Sequence, residues 1–155
     1  FEAGTPPIAE IIGLGAAEVA RVTCKGGRLA LTTWLPDSNV AALFQIMKPY
    51  MPAPPVPAPP SPFDWGRPER IRELFGDWFD LGFERATSFH RESDGKAAWE
   101  LFLTGYGPTK ALAASLDEAR RAELQRDFIA FHDGFATELG INVPKDYLLT
   151  IGTRR

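Results

Sequence analysis

The first strand that the sequence predicts is Arg28-Leu29-Ala30-Leu31-Thr32-Thr33-Trp34-Leu35, an apolar run with two threonines. A Gly26-Gly27 turn, in which glycine adopts a positive φ at little cost, joins this strand to a preceding helix. The apolar face of that helix comprises Ala17, Val19, Ala20 and Val22. No glycine-rich nucleotide loop comes before the strand, so the pattern is typical of the late part of a doubly wound α/β sheet.

A series of motifs follows from Glu18 to Arg155. They are Glu18-Val19-Ala20-Arg21-Val22, Lys25-Gly26-Gly27-Arg28-Leu29, Thr33-Trp34, Phe63-Asp64-Trp65-Gly66, Arg72-Glu73-Leu74-Phe75-Gly76-Asp77, Ala98-Trp99-Glu100-Leu101-Phe102, Thr104-Gly105-Tyr106-Gly107-Pro108-Thr109-Lys110 and Tyr147-Leu148-Leu149-Thr150. This series resembles the carboxyl-terminal half of class I S-adenosylmethionine-dependent methyltransferases. The resemblance implies a partial Rossmann-like fold of strands five, six and seven with flanking helices, in which the last strand is inserted antiparallel between the other two.

The segment before Glu18 has a different character. Phe1-Glu2-Ala3-Gly4-Thr5-Pro6-Pro7-Ile8-Ala9-Glu10-Ile11-Ile12-Gly13-Leu14-Gly15-Ala16-Ala17 resembles part of the group II cysteine desulfurases, which use pyridoxal phosphate. It carries neither that family's cofactor-bearing lysine nor its nucleophilic cysteine, and Cys24 lies beyond it. The expected organisation is therefore a chimera, with residues 1–17 as a foreign segment and residues 18–155 as the methyltransferase-like part. The alternative is a chance convergence of a short helix rich in glycine and isoleucine.

Length and composition limit the possible classes of protein. A chain of 155 residues with 45% hydrophobic content suffices for one core, and we expect one domain. The net charge is −3 and the 17 basic residues are scattered, so nucleic acid is not an expected partner. The single cysteine, and the lack of an apolar run of about 18 residues or of a signal peptide, predict a cytoplasmic protein without a membrane partner. Because the first residue is Phe1 rather than Met, we expect a fragment, a processed product or a trimmed chain.

A helix and a proline-rich connector are predicted after the first strand. Asp37 or Ser38 can cap a helix that ends at Pro49. The apolar positions of this helix are Val40, Leu43, Phe44 and Met47. Eight prolines then fall between Pro49 and Pro62, which predicts an extended, exposed connector over residues 49–62. The connector is either an inert spacer, a flap over a substrate pocket or a docking ligand for an aromatic groove.

The middle of the chain predicts two helices and a long strand. Pro68 and Gly76 mark the start and end of a short helix. Phe79, Leu81 and Phe83 alternate, and with the run through Thr87, Phe89 and His90 they predict a long strand whose outer part leaves the core, ending at an Asp94-Gly95 turn. A further helix, ending at residues 105–108, has an apolar face of Ala97, Ala98, Leu101 and Phe102.

The carboxyl-terminal third predicts the longest helix and a final strand. Ser115 and Glu118 have the spacing of a capping box, and Gly140 is the predicted stop. The apolar stripe of this helix comprises Leu124, Phe128, Phe131, Phe135 and Leu139. Lys145 to Thr153 is the predicted last strand.

The resemblance creates a physical problem at the first strand. In the complete family the fifth strand pairs with the fourth, and that neighbour is missing from this sequence, so one strand edge is left with unpaired amides and carbonyls. Residues Thr5 to Leu14 can cover the edge from within the chain, a second copy can pair with it around a twofold axis, or two copies can exchange elements. We expect a homodimer.

Few residues in the sequence point to chemistry. The family builds its adenosylmethionine site from parts that are missing here, and Gly13-Leu14-Gly15 lacks the third glycine of a dinucleotide fingerprint. We therefore expect no cofactor unless the missing half supplies an adenosylmethionine site, and no catalytic or metal-binding residue. By analogy with the family, the candidate pocket residues for a small apolar ligand are Trp34, Phe44, Met47, Trp65 and Tyr106, although aromatic residues at such spacings are commonly core.

The two histidines are predicted to be structural. His132 falls between Phe128 and Phe135 at helical spacing, which favours an imidazole at the edge of the core, hydrogen-bonded to Asp133 or to the backbone. His90, beside charged neighbours near a strand end, is predicted to be solvated. With one cysteine these histidines show no metal-ligand spacing.

Three functions follow from this reading. The first is a truncated methyltransferase-like domain, a catalytically inactive folded dimer. The second is an adenosylmethionine-dependent methyltransferase that acts on a small molecule, either with a separate amino-terminal half or through an unexpected cofactor site. The third is a small-molecule binding module that uses the aromatic residues beneath the proline-rich connector. The sequence identifies neither the parental substrate nor whether the junction near Ala17 is natural or engineered.

Overall fold

The computed structural model describes residues 8–56 and 58–155, and the side chains from Gly15 onward. In these ranges the chain forms six α-helices and four β-strands. The helices are α1 (Ile8–Val22), α2 (Asn39–Met47), α3 (Pro68–Phe75), α4 (Gly95–Gly105), α5 (Gly107–Ser115) and α6 (Glu118–Asp133). The strands are β1 (Arg28–Trp34), β2 (Phe79–Glu92), β3 (Ala136–Thr137) and β4 (Gly140–Arg154). Two short 3₁₀ helices span Lys48–Tyr50 and Pro62–Gly66.

The four strands form one antiparallel sheet. The long strands lie in the order β1, β4, β2, and β3 pairs with β4. The last strand therefore lies between the other two, which confirms the predicted strand order. The β1–β4 register runs from Arg28 opposite Thr153 to Trp34 opposite Tyr147. The chain is thus a mixed α/β protein, and β1 is at one edge of the sheet.

The described chain divides into two compact units. Unit 1 contains the described residues up to Pro36, together with Pro54–Ala86 and Asp146–Arg155. Unit 2 contains Asp37–Ala53 and Thr87–Lys145. Each unit has its own cluster of buried apolar side chains, so the single predicted core is replaced by two.

The core of unit 1 forms between two helices and one face of the sheet. Pro68 begins α3 and Gly76 caps its end, as the sequence predicts. The buried apolar residues are Ala16, Ala20, Leu35, Ile71, Leu74, Phe75, Phe79 and Leu148. Val22, predicted on the apolar face of α1, is 65% exposed, because the buried face of that helix follows Ala16 and Ala20.

The core of unit 2 is mainly helical. The Oγ of Ser38 accepts a hydrogen bond from the Ala41 amide and begins α2, as predicted. The Tyr50 hydroxyl donates to Oδ2 of Asp127 over 2.5 Å and fixes the residues after α2 to α6. The buried apolar residues are Leu43, Met47, Tyr50, Ala98, Trp99, Leu112, Ala113, Leu124, Phe128, Ile141 and Val143.

One predicted helix start is corrected, and one helix is not predicted from the sequence. The capping box of Ser115 and Glu118 is wrong, because Asp117 caps α6 by accepting from the Arg120 amide over 2.8 Å. Ser115 instead ends α5, and its hydroxyl donates to the Leu112 carbonyl. The predicted helix end at residues 105–108 is confirmed, since α4 ends at Gly105, but the sequence patterns missed α5, which begins at Gly107 with Pro108 in its first turn. Asp94 turns the chain, as predicted, and also caps α4.

The predicted stripe of α6 is too long. The helix ends at Asp133 with Gly134 as its C-cap, and Leu139 is 97% exposed in the β3–β4 connection. Gly140, at φ +109°, lies in the hairpin rather than at a helix end. The final strand starts at Gly140 instead of Lys145, even though Pro144 has no amide to donate.

Residues between the first 3₁₀ helix and Pro62 form the expected exposed connector. The described residues 51–56 and 58–61 are all exposed and contain no helix or strand. Pro57 lies outside the described residues, as do residues 1–7 of the predicted foreign segment. The part of residues Thr5 to Leu14 that the structure describes belongs to helix α1, so it adds no strand to β1.

Candidate functional site

The five candidate pocket residues are divided between the two units. In unit 1, the Trp34 ring packs edge-on against Tyr147 at 6.4 Å, and Trp34 is 41% exposed. The half-buried Trp65 ring packs edge-on against Phe75 at 6.2 Å, in the unit 1 core. The Trp65 carbonyl accepts from the Thr33 hydroxyl, on the opposite face of β1 from the Trp34 side chain. These two tryptophans therefore do not line one pocket.

Unit 2 holds the remaining three candidates. Met47 is 2% exposed and belongs to the core. Phe44, on the same helix, is half-buried. Tyr106 is 41% exposed, and its ring lies tilted on Phe102 at 5.4 Å. Met47 therefore fills the core, whereas Tyr106 lies at the surface.

Two surface depressions in unit 1 are lined by other residues. A depression of about 450 Å³ is lined by Pro60, Asp64, Arg67, Glu69, Arg70 and Glu73. Another of about 230 Å³ is lined by Gly82, Phe83, Glu84, Leu149 and Ile151. The first is bordered by charged side chains that pair with one another, as Arg70 does with Glu73 at 2.9 Å.

His132 has the structural role that the sequence predicts. It is 2% exposed, and its ring stacks on Phe128 at 4.3 Å. Its Nδ1 lies 2.8 Å from the Phe128 carbonyl oxygen, so in the neutral ring Nδ1 carries the proton and donates. Burial lowers the pKa of His132. The Phe128 hydrogen bond opposes this shift, while His90 and Lys145 add to it.

The prediction that His90 is solvated is wrong. Its ring lies 5.6 Å from Phe102 and 5.9 Å from His132, and Nε2 is buried without a hydrogen-bond partner among the described residues. Burial lowers the pKa of His90, and the nearby Lys145 lowers it further. Burial also lowers the pKa of Lys145, whose Nζ lies 6.0 Å from the Phe102 ring. No local sequence pattern indicates this cluster, because it joins His90 on β2 to His132 on α6, which are far apart in the chain.

The His90–His132 pair does not form a recognisable catalytic or metal site. Both imidazoles face aromatic rings, and their ring contacts among the described residues include no nucleophilic side chain. No group of three or more histidine, cysteine or acidic side chains in the described part of the chain can hold a metal ion. The same residues contain no helix long and apolar enough to cross a membrane.

The outer edge of β1 is the most distinctive open feature of unit 1. The Leu35 amide donates to the main-chain carbonyl of Asp146, and the Arg154 amide donates to the main-chain carbonyl of Gly27. These two bonds place the odd-numbered residues of β1 in the hydrogen-bonded pairs with β4. In an antiparallel ladder the alternate residues then direct their amides and carbonyls outward. These residues are Arg28, Ala30, Thr32 and Trp34. Among the described residues, no strand pairs with this side of β1.

The two ends of this edge differ. At the carboxyl end, the main chain of Gly66 lies so close to the Trp34 carbonyl that a Cβ atom on Gly66 would overlap with it. At the amino end, Gly26 has a φ of +78°, and the position of its absent Cβ faces open space. The edge is therefore closed beside Trp34, whereas Arg28, Ala30 and Thr32 are exposed and Gly26 borders open space.

One sheet face beside this edge is also open. Along β1 the residues alternate between exposed and half-buried, with Ala30, Thr32 and Trp34 exposed. Their β4 partners on this face are Ile151, Leu149 and Tyr147, which are half-buried. The alternate residues Leu29 and Leu31 pack against the core. An apolar patch thus continues from the open edge onto the sheet.

The two terminal arginines hold the sheet to the rest of unit 1. The Arg154 guanidinium donates to the carbonyls of Ala20 and Trp78, at 3.1 and 3.0 Å. The Arg155 guanidinium pairs with Asp80 at 3.0 Å. These contacts give the two arginines a structural role in this unit.

No family model matches this sequence, and no curated protein matches it significantly. The resemblance to methyltransferases therefore remains a prediction that depends on the motifs in the chain. The strand order and the open edge of β1 are the observations from which a function can be argued.

Proposed function

We propose that this chain is a truncated methyltransferase-like domain that lacks the adenosylmethionine-binding half and works as a folded homodimer without catalysis of its own. The single observation that carries the proposal is the outer edge of β1, where the main-chain groups of Arg28, Ala30 and Thr32 point outward and no described strand receives them. A homodimer would pair this edge with the same edge of a second copy.

The strand order supports the family part of the proposal. The resemblance implies that the last strand is antiparallel and lies between the first two, and β4 has that position between β1 and β2. The strand that would pair with the other side of β1 belongs to the half that the resemblance lacks. The open edge is therefore where that half would have been joined.

The physical chemistry of strand edges supports the assembly part. An exposed, apolar strand edge is a template for pairing with another strand, and natural proteins usually protect it with charges, proline or a bulge. The open segment from Arg28 to Thr32 has one charged side chain and no proline. Edge pairing alone would bury less than the roughly 1,200 Å² of a stable interface. The apolar face beside the edge supplies further area that a second copy can cover.

Light scattering on a sizing column, with and without millimolar adenosylmethionine, tests the proposal. We expect twice the mass of one chain under both conditions, and no heat of binding when adenosylmethionine is titrated into the protein. A monomer in both conditions would contradict the dimer. Binding of adenosylmethionine by the unaided chain would contradict the loss of the cofactor site.

The same open edge favours one alternative, in which a separate amino-terminal half supplies the missing strand. The assembled protein would then be an adenosylmethionine-dependent methyltransferase acting on a small molecule. In that case the isolated chain would be monomeric and would aggregate as its concentration rises, because its edge would lack the intended partner. A stable dimer over a hundredfold dilution series would argue against this alternative.

A further inference from the structure

We infer that two copies pair through β1 in an antiparallel register centred on Ala30, so that Ala30 faces Ala30 of the second copy and Arg28 faces Thr32 of the second copy. This inference rests on the homodimer proposed above and specifies its interface. It follows from the outward-facing main-chain groups and from what occupies each end of the edge.

Symmetry leaves only a few registers. In a twofold pair of antiparallel strands, each hydrogen-bonded pair must join two outward-facing residues. On β1 these are Arg28, Ala30, Thr32 and Trp34. A twofold axis at Ala30 or at Leu31 satisfies this condition and pairs most of the open edge.

The register centred on Leu31 is blocked by Gly66. It would place Arg28 of one copy opposite Trp34 of the other and would require the Trp34 carbonyl to accept a hydrogen bond. The main chain of Gly66 already lies against that carbonyl, so a second strand cannot approach it. This register therefore loses the hydrogen-bonded pairs at both of its ends.

The register centred on Ala30 avoids this obstacle. Its hydrogen-bonded pairs are Ala30 with Ala30 and, twice, Arg28 with Thr32, so Trp34 is outside the ladder. The Trp34 position of each copy then falls opposite Gly26 of the other, which lies in the turn before β1, so no strand residue of the second copy has to approach the main chain of Gly66.

The side chains are also compatible in this register. Ala30 is small, and its exposed position allows two copies to approach at the axis. Leu29 faces Leu31 of the second copy on the core side of the sheet. Along the paired strands, the Arg28 positions of the two copies are four residues apart, or about 14 Å. This distance exceeds the length of about 10 Å over which salt screens the repulsion between charges. No like charges therefore oppose the pairing.

Single cysteines test this register directly. In a Cys24→Ser background, which removes the exposed native thiol, Ala30→Cys places two thiols across the axis at a Cα separation of about 5.5 Å, within the range of a disulfide. We expect mild oxidation to give covalent dimer on a non-reducing gel. Thr32→Cys is the matched control, because its two copies would be about 14 Å apart, and we expect at least about tenfold less cross-linking.

Light scattering of the reduced proteins separates the possible failures. If the reduced variants are dimers and Leu31→Cys cross-links while Ala30→Cys does not, the Ala30 register is overturned and the dimer stands. A dimer in which neither variant cross-links also overturns the register. If light scattering shows that the reduced Cys24→Ser protein is a monomer, and circular dichroism shows that it is folded, the homodimer of the proposed function is overturned. The register is then overturned as well.

Discussion

The Nδ1 of His132 lies 2.8 Å from the carbonyl oxygen of Phe128, one helical turn earlier in α6. This contact fixes the imidazole in a shell of aromatic rings, where His90 is its neighbour at 5.9 Å. The charged and titratable groups that act on the pair are Lys145 from β4, Glu92 from β2 and Asp133 from α6. Lys145 disfavours a positive charge on either ring, whereas the two carboxylates partly offset it.

These contacts predict that acid destabilises the protein before its carboxylates titrate. The pKa of each histidine is lower in the folded chain than its usual value of about 6.5, so folding favours the neutral rings. The stability from the neutral form is fully present above pH of about 6.5 and is lost as the pH falls from there toward the lowered pKa values. Urea unfolding at pH 7.5, 6.5 and 5.5 should therefore show a steady fall in the free energy of unfolding.

A variant without histidines is the control for this prediction. We expect His90→Leu combined with His132→Leu to flatten the dependence between pH 7.5 and 5.5, because most carboxylates titrate near pH 4. The fall in the unmodified protein would then be assigned to the imidazoles. An equal fall in the double variant would show that other groups cause it.

The buried hydroxyl of Thr150 predicts a stabilising substitution. Thr150 is 0% exposed at the centre of β4, and its Oγ1 has no hydrogen-bond partner among the described residues. Thr150→Val keeps the shape and removes the unsatisfied hydroxyl, so we expect the free energy of unfolding to rise by about 1 kcal/mol. Chemical denaturation at pH 7.5 measures this change.

Thr33→Val, in the same unit, should have the opposite sign. The Thr33 hydroxyl donates to the Trp65 carbonyl over 2.8 Å, and its loss should cost about 1 kcal/mol. If both valine variants changed stability equally, hydrogen bonding would not explain the difference between the two threonines.

Local signals in the sequence predicted helix ends correctly where only one residue near the end was suited to cap or bound the helix. Ser38 caps α2, and Pro68 and Gly76 bound α3, because a hydroxyl before an apolar helix or a proline in its first turn has few alternatives. The prediction failed where signals competed. Ser115 and Asp117 can both cap α6, and the carboxylate is the one that does so.

The candidate site could be predicted only in part. The open side of β1 follows from the strand's missing neighbour, which motif order indicates. The blocked end at Trp34 depends on Gly66, which is 32 residues away in the chain, and no local pattern places them together. The sequence predicts that β2 reaches His90, but not that His90 packs against His132, because the two residues lie on elements that are far apart in the chain. The features that sequence patterns missed are therefore those that depend on contacts between residues far apart in the chain.

Gly66 predicts a strongly destabilising substitution. Its main chain lies against the carbonyl of Trp34 and the Cα of Leu35, so Gly66→Ala must push two main-chain segments apart. Overpacking of this kind typically costs about 1–3 kcal/mol. Thermal unfolding followed by circular dichroism should show a lower Tm.

Gly15→Ala is the matched control in the same unit. Gly15 lies in helix α1, and nothing lies within 4 Å of its absent Cβ. Because alanine favours a helix over glycine, we expect stabilisation of about 0.5–1 kcal/mol. Equal destabilisation by both alanine variants would contradict the steric explanation for Gly66.

Proline substitutions in β1 separate the dimer interface from the fold. The Ala30 amide points away from β4, so Ala30→Pro removes a donor that the described fold does not use, and proline is tolerated on such strand edges. The Leu31 amide points toward Thr150 of β4, so Leu31→Pro removes a ladder hydrogen bond. We expect light scattering to give half the dimer mass for Ala30→Pro with an unchanged circular dichroism spectrum, whereas Leu31→Pro should lose the cooperative unfolding of unit 1. If Ala30→Pro stays folded and dimeric, the outer edge of β1 is not the interface, because the Ala30 amide is the donor at the centre of the proposed pairing.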